Sequence, residues 1–288
     1  MRMSLQSAHL KRSPKPSKTL ARGERQAHVI AVAAQKGGVG KTTSSVNLAA
    51  AWARFHGLKV LVVDLDPQAH VTKALERQVQ PGGGFLSTVF TQQSQVEVQE
   101  VATETEVPGL YVTPADPDLL LTEGQLTGRI GKELILKKAL EITRSHYDLI
   151  VLDCPPHIGT LTVNALVAAD SVLIPCNPQT LAIAGVGGLV AAIDEVASHL
   201  NPDLALLGVM LTRVDGRSGK ANAEVMGELQ ETWGEVLLPV QVGVNNSLSR
   251  AQTAGQDIYA YDPTSRGAEQ YLELAECVMD RLAGDSPS

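Results

Sequence analysis

The chain has 288 residues, 44% of them hydrophobic, a formal net charge of −7 and only 3% aromatic residues. Such a composition is ordinary for a globular protein and calls for an aliphatic, alanine-rich core, and the length fits one large α/β domain or two small ones. No apolar run reaches the length of a membrane span, and the three cysteines, Cys154, Cys176 and Cys277, have no C-x-x-C spacing, which suits reduced thiols in a cytoplasmic protein.

Residues 1–27 carry seven basic residues against Glu24 alone, while the remainder carries 17 basic and 30 acidic residues. This Ser/Pro-containing stretch is expected to be a disordered basic arm, with the folded domain spanning 28–288. Two readings stay open for it: an arm that binds nucleic acid or a partner, and a solvated leader or misassigned start. Strands are predicted at 28–34, 58–64, 110–113, 148–153, 171–175 and 205–212. Helices are predicted at 41–55, 132–145, 160–168, 182–199, 219–232 and 265–283. Pro81-Gly82-Gly83-Gly84 reads as a flexible break and 91–108 as loop or short irregular elements. Alternating strands and helices predict a mostly parallel, twisted sheet with helices on both faces.

The first strand runs into Gln35-Lys36-Gly37-Gly38-Val39-Gly40-Lys41-Thr42-Thr43. A strand, a glycine-rich turn and then Lys-Thr opening a helix make a phosphate cradle. Lys41 reaches the β/γ-phosphates, and the Thr42 hydroxyl stands where Mg²⁺ is ligated. The standard pattern has glycine at position 35, so this is a variant loop, and the additional Lys36 marks a subclass. Two further strand ends carry carboxylates: Asp64 and Asp66 in Val62-Val63-Asp64-Leu65-Asp66-Pro67-Gln68, and Asp153 closing Leu149-Ile150-Val151-Leu152-Asp153. The latter has the form of a Walker B strand, whose aspartate holds Mg²⁺ through water.

With those segments in this order, the chain resembles the ParA family of P-loop ATPases, within the group that includes MinD and the nitrogenase iron protein. Asn164-Ala165-Leu166-Val167-Ala168-Ala169-Asp170 and Tyr261-Asp262-Pro263-Thr264-Ser265-Arg266-Gly267-Ala268-Glu269 extend the resemblance over roughly 28–283. It implies an ATP- and Mg²⁺-dependent ATPase that forms a homodimer with ATP. Lys36 would reach the partner subunit's phosphates, Lys41 and Thr42 would serve their own subunit, and Thr43 would complete the motif. Asp66 would position the attacking water, with Asp64 and Asp153 in the Mg²⁺ shell. Residues 175–180 and 211–215, including Pro178, Thr212 and Asp215, fall where relatives surround the adenine. The implied partners are nonspecific double-stranded DNA and a ParB-type activator, with residence on the nucleoid.

Two departures accompany the resemblance. Relatives often read Gln-Pro-Glu where this chain has Asn177-Pro178-Gln179, and an arginine-rich stretch is reduced to Arg250. Candidate DNA contacts are Arg213, Arg217, Lys220, Arg250 and Arg266, plus the arm. A ParA-like ATPase that positions a protein cargo on the nucleoid is an alternative. A MinD-like membrane switch would need a basic C-terminal helix, whereas residues 268–288 hold five acidic residues against Arg281 alone. An iron–sulfur carrier would need a second suitable cysteine beside Cys154.

Overall fold

The architecture follows from five short apolar segments too hydrophobic to face water on either side. In the computed structural model, β1 (His28–Val32), β2 (Val60–Asp64), β4 (Leu110–Thr113), β5 (Leu149–Asp153) and β6 (Ser171–Cys176) are almost wholly buried. That pattern belongs to parallel strands covered on both faces. The structure describes residues 26–80, 83–91, 96–178, 182–215 and 219–284. The basic arm lies outside them except for its last two residues, as does part of the Pro81–Gly84 break.

The remaining strands are β3 (Thr103–Glu104), β7 (Ala205–Val214) and β8 (Leu237–Gly243). All eight form one sheet in the order β3-β4-β2-β5-β1-β6-β7-β8, parallel throughout except that β3 runs antiparallel to β4. β1 is flanked by β5 and β6, so the winding reverses beside it and opens a crevice at its C-terminal end. Register brings Asp64 opposite Asp153 across the β2–β5 pair.

One sheet face packs against α1 (Lys41–His56), α2 (His70–Ala74), α10 (Asn246–Thr253), α11 (Ile258–Tyr261) and α12 (Arg266–Ala283). The other carries α3 (Leu86–Thr91), α4 (Val98–Val101), α5 (Asp118–Gln125), α6 (Ile135–Ala139), α7 (Thr160–Ala168), α8 (Ala182–His199) and α9 (Gly219–Trp233). Side-chain alternation along β1 feeds both cores: Val29 and Ala31 go to the second, Ile30 and Val32 to the first. The scarcity of aromatics concentrates bulk in a few places, such as Trp52, whose indole N–H donates to Ala275 O (3.1 Å) and ties α1 to α12.

The expected helix over 132–145 is broken. A 3-10 turn (Lys132–Leu134), the short α6 and a second 3-10 turn (Thr143–His146) take its place. Asn164 of α7 is the cause: its amide donates to Lys132 O (2.9 Å) and accepts from Leu136 N (3.1 Å). Those two backbone groups would otherwise bond to each other in a continuous helix, and an inserted side chain interrupts the ladder. The expected irregular region before β4 contains α4 and β3. Strand β8 was not anticipated because Pro239 sits inside it, a residue tolerated only at sheet edges, and β8 is the edge strand.

Candidate functional site

The loop between β1 and α1 turns through Gly38 and Gly40 with φ of 73° and 88°, a left-handed conformation that favours glycine. Gly40 is the N-cap of α1, so the helix presents its free N–H groups and positive end at the crevice. A cavity of about 390 Å³ opens there, lined by Gly37, Gly38, Gly40, Lys41, Thr42 and Thr43 on one side. Asp66, His70, Pro156, Thr212, Arg213 and Tyr271 add to the wall, and residues between Val242 and Gln252 close the far side.

Lys41 is buried, and its Nζ donates to Lys36 O (3.1 Å). Burial lowers its pKa, opposed by the charges of Asp153, Cys154 and Asp66. Thr42 Oγ1 donates to Asp153 Oδ2 (2.8 Å) and Ser45 Oγ to Asp153 Oδ1 (2.7 Å). Positions 42 and 45 stand three apart on one helical face, which brings both hydroxyls onto a single carboxylate. Burial raises the Asp153 pKa to about 6 against those hydroxyls and Lys41.

Asp64 is fully buried alongside. Its Oδ2 accepts from Thr72 N and Thr72 Oγ1 (both 3.1 Å) and its Oδ1 from Asp66 N (3.3 Å). Burial, then the neighbouring Asp153, push its pKa up to about 8. Burial thus pushes both carboxyls toward the protonated form, Asp153 less so because Ser45, Thr42 and Lys41 favour its charged form. Carboxylate and hydroxyl oxygens on Asp153 and Thr42 form the kind of hard donor set that suits Mg²⁺.

Asp66 is buried in the cavity wall. Its Oδ1 accepts from Gln68 N (2.9 Å), and its Oδ2 lies 3.1 Å from His70 Nδ1. Sequence reasoning passed over His70, Ser45 and Thr72; the i,i+4 spacing from Asp66 to His70 was the readable signal. Lys36 and Val39 line a separate small pocket with Cys176 and Asn177, outside the main cavity. Pro178 is buried just beyond β6. Asp215 and Arg266 line an adjoining cavity of about 480 Å³.

Thr212 Oγ1 donates to Val39 O (2.6 Å), and Arg213 Nη1 donates to Gly38 O (3.1 Å). Arg250 is exposed on α10, and Arg266 is exposed at the start of α12. Arg217 and the side chain of Lys220 lie outside the described residues. Among those residues, no helix is long and apolar enough to cross a membrane.

A glycine-bent loop before a helix, with a carboxylate-bearing strand end beneath it on a doubly wound sheet, defines a P-loop nucleotide-binding protein. The sequence model of a family described as an AAA domain matches residues 27–206. A chromosome-partitioning ATPase, Soj, from Thermus thermophilus is 41% identical over 253 residues, which is 88% of this chain and 96% of that protein. The chromosome partitioning protein ParA of Myxococcus xanthus is 39% identical over 274 residues, 92% of this chain and 94% of that one. Among solved structures, cobyrinic acid a,c-diamide synthase from Mycobacterium smegmatis with bound ADP and magnesium superposes with a TM-score of 0.74. It shares 32% identity, over 88% of this chain and 94% of that one. The chain belongs to the ParA/MinD family of P-loop ATPases.

Proposed function

We propose that this chain is a partitioning ATPase that hydrolyses ATP with Mg²⁺ and uses the nucleotide to control a DNA-bound homodimer. Bound Mg²⁺ would supply charge neutralisation on the β- and γ-phosphates, held by Thr42 and, through water, by Asp153, with Asp64 behind them. Lys41 and the loop N–H groups would hold the phosphates, and Asp66 would orient the attacking water. Pro178, Thr212 and Asp215 would flank the base.

The observation that carries the dimer is the position of Lys36. Its side chain is absent from the wall of the cavity that Lys41 and Thr42 line. This supports a role for its ammonium at the phosphates of a second subunit, where a cation lowers the cost of bringing two nucleotides together. Relatives described as partitioning proteins, at 39 and 41% identity, outweigh the synthase structure at 32% and favour DNA over a small-molecule acceptor. Arg250, Arg266, Arg217, Lys220 and the basic arm are the proposed phosphate-backbone contacts, and a ParB-type partner would accelerate hydrolysis and release.

Co-sedimentation with random-sequence duplex DNA tests the switch. Retention should appear with ATP and Mg²⁺, stay at background with ADP, and fall steeply between low and moderate salt as counterions compete. Equal retention with ATP and ADP would refute it.

A further inference from the structure

Three carbonyl oxygens of the phosphate loop are tied down by side chains. Lys41 Nζ holds Lys36 O, Arg213 Nη1 holds Gly38 O, and Thr212 Oγ1 holds Val39 O. In a planar trans peptide, a carbonyl and the following N–H point in opposite directions. Anchoring these oxygens therefore fixes where the N–H groups of Gly37, Val39 and Gly40 point.

Two of the three anchors come from adjacent residues at the end of β7. The backbone there is shaped for the purpose. The β7–β8 register shifts between Leu211 and Val214, and Arg213 takes a φ of 55°. Bulges re-aim side chains beside functional sites, and a non-glycine residue in the left-handed region is strained. The strain is tolerated where the side chain gains a specific contact. Here the contact is a loop carbonyl on the cavity wall.

We propose that Arg213 is a positioning residue for nucleotide phosphates and not a DNA contact. Through Gly38 O it holds the Gly38–Val39 peptide in the orientation that aims the Val39 N–H for an anion, and its charge faces the same cavity. The inference rests on the reading of this loop as a nucleoside-triphosphate site. The ligand class is a nucleoside di- or triphosphate, since the group held is the loop itself and not a terminal phosphate.

The test uses the full chain with Mg²⁺ and fluorescent analogues of ATP and ADP. Arg213→Ala and Arg213→Gly should each weaken both nucleotides about tenfold, the order expected for a charge-assisted hydrogen bond. Arg213→Lys should recover part of that loss, because it restores a donor without the guanidinium fork. At saturating ATP, where the nucleotide site is filled by mass action, DNA retention should stay within about twofold of the parent for all three. Arg213→Gly guards against misfolding, because glycine accepts the backbone angle and its melting temperature should not fall. Unchanged nucleotide affinity in Arg213→Gly would overturn the proposal. So would DNA retention that drops at saturating ATP. If the parent protein binds neither nucleotide, the phosphate-loop reading itself fails and this inference falls with it.

Discussion

Asp64 shows how burial and a like-charged neighbour raise the pKa of a carboxyl. Its folded pKa of about 8 lies above the unfolded value of 3.8, so between those limits the native state holds a proton the unfolded chain has released. Its contribution is fully present below the unfolded pKa and is lost as pH rises through the folded one. The melting temperature of metal-free protein should therefore fall between about pH 5 and pH 8. Asp64→Asn, which stays neutral throughout, should flatten that fall, as followed by calorimetry at several pH values. An unchanged slope would mean that Asp64 is ionised in the folded state. Asp153 shares the environment but is held lower by Ser45, Thr42 and Lys41.

At the scale of elements, Asp257 joins three segments outside the loop: α1, the stretch after α2, and α11. Fully buried, it accepts from Arg54 (2.7 Å) of α1 and Gln78 (2.8 Å), and it caps α11 through Tyr259 N and Ala260 N. Asp257→Ala leaves a guanidinium and two helix N–H groups without their acceptor. It should cost roughly 3–5 kcal/mol, read from the urea midpoint. The principal strands were legible because burial on both faces writes them as unbroken apolar runs, and β1, β2 and β5 start or end within two residues of expectation. The loop and both Walker-type carboxylates were legible because their chemistry fixes residue type and spacing. What escaped depended on partners distant in sequence. The break in 132–145 needs Asn164, and the far wall of the cavity needs β8 and α10, whose pattern is obscured by Pro239 and a polar helix. The left-handed backbone at Arg213 has no signature in a one-dimensional pattern.

At the scale of the whole molecule, the two lysines of the loop divide their labour by position. Lys36→Ala should leave nucleotide affinity of the monomer within about twofold, yet abolish the ATP-dependent shift to dimer in size-exclusion chromatography with light scattering. Dimers that persist with ATP would refute the cross-subunit role. The α1–α12 contact sets a different kind of constraint. Ser44, behind the phosphate loop, shares a hydrogen bond (2.9 Å) with Tyr271, 227 positions later. During synthesis the cradle is made well before the helix that braces it from behind. Contacts this distant close slowly. The loop thus gains its rear support only after the strands between the two partners have been made.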